Sequence, residues 1–441
     1  MLASRLSARE DAAMPPAPVT APVDHADLLV LGAGPAGLGA ALLAARRGAR
    51  VIVVDQSSQV GGLCVTRQCG ALRYDVGGHI PFVNDADRHT WLVGLLGDDL
   101  VWVPRPVSSW RDGAIRPGRF LDQRPAGIPR GATPPDAPEP GLRESARDAL
   151  AARFGAQFVD AELRPYLEKI DGVPLERIPG VRPLRLMREQ AAPDGFWFPR
   201  RGIGQLMDVM ARAITDLGGQ LLTETTVVAL EAPDDRVGAV VLRHGGGGVS
   251  RVATRQVIVS APPGAVARRL VPAPPPDAIP PLRMRAVCIV YFEVARPDVT
   301  GEAWVQIDDP RVPAARIFEM PNWSRAMCPE DRSVLGMECY CSPTADDPIW
   351  GCSDTDLAGR CATALADPLG WVADAGQPRL VEVIRVPAGY PAPDLAQLDA
   401  INAAPRLLEG VEGLWLAQGS AVVDAIRAGE DCAAAALAAA R

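Results

Sequence analysis

Hydrophobic and polar positions first organise themselves into a strand, a turn, a helix and a second strand. Asp27–Leu31 is an apolar β run, Gly32–Gly37 a turn, and Ala36–Arg47 an Ala/Leu-rich helix ended by Gly48. Val51–Val54 follows as a β-branched run of the kind buried on both faces of a parallel sheet. Leu142–Gly155 and Ala161–Ile170 read as helices. Leu206–Leu217 is amphipathic, with Leu206, Met207, Met210, Ile214 and Leu217 near one face. Val227–Leu230 and Val237–Leu242 bracket the polar turn Pro233-Asp234-Asp235 and predict a hairpin. Gln256–Ser260 predicts another buried strand, stopped by Pro262-Pro263-Gly264. Val287–Val294, Val334–Cys341 and Val381–Val386 predict strands of a second sheet. The last elements are a strand, Leu414–Ala417, and an Ala-rich helix from Ala421.

Similar pieces at both ends with different material between them predict an α/β fold with a discontinuous Rossmann-like domain and an α+β substrate-binding domain. The expected bounds are a tail over 1–25, dinucleotide-domain segments 26–110, 199–265 and 395–441, and substrate-domain segments 111–198 and 266–394.

Composition narrows the function. The 441 residues are 48% apolar, enough for two or three core-forming units. Seven of the 43 prolines fall in Pro117–Pro140, an excursion loop rather than a core element. A net charge of −8 excludes broad attraction to nucleic acid or anionic lipid. No apolar run approaches the ~20 residues that span a bilayer. Met1–Ala26 is Ala- and Pro-rich without the apolar core of a signal peptide, and predicts a disordered tail. Nine cysteines are scattered without Cys-x-x-Cys, and Cys339 and Cys341 alternate so as to share one strand face. The four histidines are too dispersed to suggest a site. Together these predict a reduced, cytoplasmic protein without a metal. Of 45 basic residues, only Lys169 is lysine.

The chemistry begins at Gly32-Ala33-Gly34-Pro35-Ala36-Gly37, which follows a strand, opens a helix, and has an acid, Asp55, 21 residues beyond Gly34. Gly32 permits the tight turn, Gly34 admits a pyrophosphate to the backbone, and Gly37 lets helix and strand pack closely. Pro35 is tolerated in a first helical turn, where its missing N–H would be unpaired anyway. Asp55 closes the second strand, where its carboxylate can accept both ribose hydroxyls, and it disfavours a 2′-phosphate. Six residues later comes the pair Gly61-Gly62, and further on Asp75-Val76-Gly77-Gly78-His79. Paired glycines admit a flat ring close to the backbone, and His79 is able to hydrogen-bond or titrate near neutral pH.

On these segments the chain resembles the superfamily of FAD-dependent amine oxidases, protoporphyrinogen oxidase-like proteins and phytoene desaturases. The Gly-Gly-His segment resembles the branch close to UDP-galactopyranose mutases. The resemblance runs through most of Asp27–Leu437 and implies non-covalent FAD. It implies a diphosphate held by Gly32, Gly34, Pro35, Ala36, Gly37, Gly61, Gly62 and Leu63, and a ribose by Asp55 and Gln56. Val227 and Val228 would contact adenine through their backbone, and Gly77, Gly78 and His79 would run beside the isoalloxazine. Gly419 and Val423, at the last helix, would face the flavin pyrimidine ring, where a helix N-terminus stabilises negative charge.

Pro165-Tyr166-x-x-Lys169 resembles a helical stretch of the same branch, although Asp171 stands where an aromatic is usual. Catalytic candidates are His79, Lys169 and Tyr390. Substrate-binding candidates are Tyr166, Arg200, Arg316 and Tyr390, the last three from Phe198–Gly204, Arg316–Glu319 and Tyr390-Pro391. Ala417-Gln418 replaces the usual Gly-Asp or Gly-Arg before the last helix. The implied activity is hydride transfer from a small-molecule substrate to flavin N5. A mutase-type isomerisation with no net redox change and a non-catalytic flavin-binding subunit remain open.

Overall fold

β1 (Leu28–Leu31) and β2 (Val51–Val54) are buried at every position, as strands covered on both faces must be. In the computed structural model, which describes residues 24–83, 85–104, 107–120, 140–141, 143–189, 195–392, 394–419 and 421–440, they form the middle of a five-stranded parallel sheet. Most of the expected tail and of the Pro-rich excursion lies outside the described residues. The other strands of this sheet are β9 (Gln220–Leu222), β13 (Val257–Val259) and β20 (Leu414–Leu416), in the order β20-β13-β1-β2-β9. The chain builds from β1 towards β2, then returns to the other side for β13. The carboxyl end of β1 is therefore a topological switch point, where such sheets open a crevice.

One face of the sheet carries α1 (Pro35–Arg46), packed against the final helix, α9 (Val422–Ala439), at Gly39 and Gly429. A Cβ at Gly39 would lie 2.5 Å from the Ile426 carbonyl, and one at Gly429 would collide with the Ala36 carbonyl. The opposite face packs on a four-stranded sheet. It consists of β10 (Thr225–Glu231), β11 (Ala239–His244), β12 (Val249–Ala253) and β14 (Leu270–Val271), in the order β12-β11-β10-β14. β10 and β11 form the expected antiparallel hairpin.

A seven-stranded sheet makes the second body. It comprises β6 (Val107–Arg111), β7 (Ala114–Pro117), β15 (Met284–Val294), β16 (Trp304–Ile307), β17 (Arg316–Glu319), β18 (Ser333–Cys341) and β19 (Arg379–Pro391). Its order is β19-β15-β18-β17-β16-β6-β7, so the chain enters it before residue 110. Cys339 and Cys341 do share a face, packed with Cys288, Met337 and α7 (Asp354–Ala366). The other face, with Ile289, Tyr291, Phe318 and Tyr340, belongs to the core that also contains β1 and α1.

Several elements escape the hydrophobic pattern. The hairpin of β3 (Thr66–Cys69) and β4 (Leu72–Asp75) starts with a polar, largely exposed strand. β5 (Leu100–Pro104) pairs with β8 (Gly195–Pro199) across 95 residues. α3 (Ala146–Phe154) starts later than Leu142, where the Ser145 hydroxyl accepts the Asp148 N–H. α4 (Arg164–Asp171) is preceded by a π-helical turn at Val159–Leu163. α2 (Ala86–Leu96), α5 (Val181–Glu189), α6 (Gly204–Asp216) and α8 (Leu398–Glu409) complete the helices used below. Among the described residues, no helix is long and apolar enough to cross a membrane.

Candidate functional site

The glycine turn sits at the switch point. Gly32 has φ +104°, and a Cβ there would come 2.9 Å from the Ala261 nitrogen, so both conformation and space demand glycine. Gly37 is equally constrained, since its Cβ would collide with the Gly32 carbonyl. Gly34 differs. Its φ is −75°, and a Cβ would meet nothing nearer than Ser260 Oγ at 4.0 Å. The fold therefore tolerates a side chain at Gly34 and leaves open space above it. Gly61 and Gly62, both at positive φ, form the opposite wall. Gly61 N–H donates to the Ala33 carbonyl at 2.7 Å, and a Cβ on Gly62 would lie 3.4 Å from Gly34 Cα. The two glycine turns make a cradle of backbone that suits a dinucleotide.

Asp55 Oδ2 accepts the Ala33 N–H at 2.7 Å, and Oδ1 accepts the Ser57 N–H at 2.8 Å. The carboxylate thus braces the turn while keeping lone pairs for a ribose. Gln56 and Leu63 are exposed beside it. Val227 opposes Leu242 and Ala229 opposes Val241, so Val228 sits at a bulge without a partner across the ladder. Ser260 was not singled out from sequence. Its hydroxyl accepts the Gly37 N–H at 3.0 Å, capping α1 from 223 residues away.

The Gly77–His79 loop bridges to the second sheet. Gly77 has φ +85°, and Gly78 N–H donates to Glu338 Oε1 at 3.1 Å. Glu338 is buried, and its Oε2 accepts the Tyr340 hydroxyl at 2.9 Å and lies 2.8 Å from Arg316 Nε. Among the described residues His79 Nδ1 is buried with no hydrogen-bond partner, and burial lowers the imidazole pKa against the pull of Glu338 and of the Gly77 and Val76 backbone, with Arg316 adding to the lowering. The Tyr390 hydroxyl is also buried and has no partner among the described residues, with its ring 5.9 Å from that of Tyr340 and 5.2 Å from the Arg182 guanidinium. Tyr166 is buried, and burial pushes its phenol up, as it does that of Tyr390. Arg316 acts electrostatically on His79, Tyr166 and Tyr390 alike, so these four expected residues share one environment.

Two expected residues stand apart. Lys169 Nζ donates to the carbonyls of Asp309 and Val312, both at 2.8 Å, which engages it with the loop before β17. Arg200 projects towards the turn after α2, where Nη2 donates to the Asp98 carbonyl at 2.7 Å. At the last helix Val423 is buried, and a Cβ on Gly419 would collide with Ala425. Ala421, at the N-cap of α9, offers no side-chain cap. An open cleft of about 660 Å³ lies elsewhere, against His25, Asp27, Arg47 and Gln256 at the amino ends of β1 and β13.

Residues 35–437 match the family described as flavin containing amine oxidoreductase. The chain belongs to that family. As a flavin containing amine oxidoreductase it is an FAD-dependent oxidoreductase, and the family acts on small molecules. Its fold is shared by a reduced UDP-galactopyranose mutase, at 18% identity and TM-score 0.71, over 94% of this chain and 96% of that one. A candidate protoporphyrinogen oxidase from Exiguobacterium sp. 255-15 is 16% identical at TM-score 0.68, over 93% and 98%. A putrescine oxidase bound to putrescine is 18% identical at TM-score 0.66, over 95% and 100%. Curated relatives match in short segments. Soluble pyridine nucleotide transhydrogenase of Marinomonas sp. (strain MWYL1) is 54% identical over 55 residues, 12% of each protein. Sarcosine oxidase subunit alpha of Rhizobium meliloti (strain 1021) is 68% identical over 38 residues, 9% of this chain and 4% of that protein. The chain thus aligns with only a small part of these relatives' lengths.

Proposed function

We propose that this oxidoreductase binds FAD non-covalently and oxidises a small molecule that carries an anionic group next to the reacting carbon. The observation that carries the reading is the Gly77–His79 loop, which follows β4 and donates to Glu338 of the Arg316–Glu338–Tyr340 cluster. Bound flavin supplies a hydride acceptor at N5. The chain's own work is to orient the substrate carbon and exclude water, through Tyr166, Tyr390 and the buried face of β15–β18. His79, whose lowered pKa keeps it neutral at pH 7 and whose Nδ1 has no partner among the described residues, takes or gives one hydrogen bond to flavin or substrate in this reading. Arg316, paired with Glu338, acts on both Tyr166 and Tyr390, and Arg182, paired with Asp171, lies 5.2 Å from the Tyr390 ring. Guanidinium groups beside two phenols suit a carboxylate or phosphate better than a diamine.

A mutase-type isomerisation is the second reading, favoured by the same buried arginine and tyrosines, which would also hold a diphosphate. Heat denaturation should release FAD; release of FMN or of NAD alone overturns the cofactor assignment. Anaerobic mixing with a panel of amino acids should bleach the flavin, with colour returning in air, whereas putrescine should leave it oxidised. Bleaching by putrescine and not by any carboxylate overturns the anionic-substrate reading. Turnover of UDP-galactopyranose only after dithionite reduction establishes the second reading in its place.

A further inference from the structure

Asp75 ends β4, two residues before the Gly77–His79 loop, and is completely buried. Its partners are neutral. Oδ1 accepts the Thr66 hydroxyl at 2.5 Å, and the Ile203 N–H reaches Oδ2 at 3.0 Å and Oδ1 at 3.2 Å. Thr66 Oγ1 itself accepts the Gly204 N–H at 2.9 Å, which commits its own proton to Asp75. The junction has no spare room. A Cβ on Gly202 would come 2.5 Å from Asp75 Oδ1, and one on Gly204 2.7 Å from the Thr66 nitrogen. The Asp75 carbonyl accepts the Gly77 N–H at 2.9 Å and the Tyr291 hydroxyl. One residue therefore joins the β3–β4 hairpin, the turn into α6, the Gly77–His79 loop and strand β15.

We infer that Asp75 is a positioning residue of the flavin site, a latch that fixes the Gly77–His79 loop and takes up a proton when negative charge arrives beside it. This rests on the reading above, in which that loop borders the flavin. A carboxylate served only by neutral donors in a desolvated site is poorly compensated. Burial raises its pKa to about 7, against the opposing effects of Thr66 and the Ile203 N–H.

The other titratable groups nearby leave this role to Asp75. The Cys64 thiol and the Tyr291 phenol face it, and burial pushes both up, so they stay neutral. Arg67 on β3 pairs with Glu382, Tyr74 on β4 donates to Glu382, and Arg201 before α6 pairs with Asp99. Reduction adds negative charge next to the loop and raises the Asp75 pKa further. Between its oxidised-state and reduced-state values, reduction takes up one extra proton, and the flavin midpoint potential falls more steeply with pH.

The test uses the full chain loaded with FAD, as wild type, Asp75→Asn and Thr66→Val. Midpoint potentials are measured from pH 5.5 to 8.5, with FAD affinity and thermal unfolding of the apo form alongside. Wild type should show a steeper region near pH 7. Asp75→Asn keeps the volume and an acceptor but cannot titrate, so the steep region should vanish while flavin is retained. Thr66→Val removes a donor to the ionised form and should move that region to higher pH. Parallel potential–pH lines in wild type and Asp75→Asn, with normal flavin content, overturn this inference alone. If Asp75→Asn does not fold, an unmoved region in Thr66→Val overturns it. Wild type that takes up no flavin overturns the site reading and this inference with it.

Discussion

Gly34 and Gly37 are three residues apart in one turn, yet they do different jobs. Gly37 has no room for a Cβ, whereas Gly34 has open space. Gly34→Val should therefore leave apo-protein stability within ~1 kcal/mol of wild type while abolishing FAD retention. Apo unfolding curves and flavin content together check this, and an unaltered flavin content would move the diphosphate to another loop. Lys169 makes a second residue-scale test. Burial lowers its pKa from 10.5 to about 8, opposed by Cys339, Asp308 and Asp309. A folded-state pKa below the unfolded one means that the unfolded chain binds more protons between these values. Stability should rise through about pH 8 to 10.5, and below pH 8 the charged, desolvated amine is a cost. Wild type should gain stability relative to Lys169→Met between pH 7.5 and 9.5, measured by urea unfolding. An unchanged difference would show that the amine is not desolvated. With its Nζ on two carbonyls, Lys169→Met should leave the flavin spectrum unaltered.

At the scale of elements, the crossing of α1 and α9 sets where two helix N-termini point. Gly39 and Gly429 let the helices approach until Cβ atoms would strike the Ile426 and Ala36 carbonyls. Gly429→Ala should force the helices apart at a cost of about 1–3 kcal/mol, the usual scale of overpacking. FAD affinity should fall in the same variant, because α1 carries the Gly34 turn. Chemical denaturation and flavin titration of the variant check both, and unchanged values would mean that the crossing is softer than its geometry. The four-residue β1 and β2 runs were legible because both faces are buried. β3 was not, since a polar, exposed strand has no apolar period to read.

At the scale of the whole molecule, the sheets are fastened through the segments around Asp75–Gly78 and Arg200. Tyr74 donates to Glu382, Tyr291 to the Asp75 carbonyl, Gly78 to Glu338, and Ser324 to the Arg200 carbonyl. Flavin binding should therefore raise the unfolding temperature of the whole chain in a single transition. Separate transitions, with only one shifted, would show that the bodies unfold independently. At the start of the described residues the Ala253 N–H donates to the Asp24 carbonyl, and the Ala26 N–H to the Ala253 carbonyl. Removal of Met1–Val23 spares both, so flavin content and melting temperature should stay as in the full chain. A large drop would show that the removed residues dock.

The sequence by itself determined the tight glycine turn, the acid that braces it and the α/β class. These depend on local rules: glycine where φ is positive or a carbonyl is near, a buried run for each parallel strand, and an acid at a fixed distance. It also singled out His79, Tyr166, Arg316 and Tyr390, which the fold brings together although they span more than 300 residues. Tertiary structure alone decided the rest. Lys169 turned to the Asp309 and Val312 carbonyls because an ammonium buried on that side finds its acceptors there. Ser260 became a cap for α1, and Asp75 a junction of four elements, through contacts across 223 and 128 residues. Hydrogen bonds between segments so far apart leave no periodic trace in the chain, because only the packed sheets bring their donors and acceptors within reach.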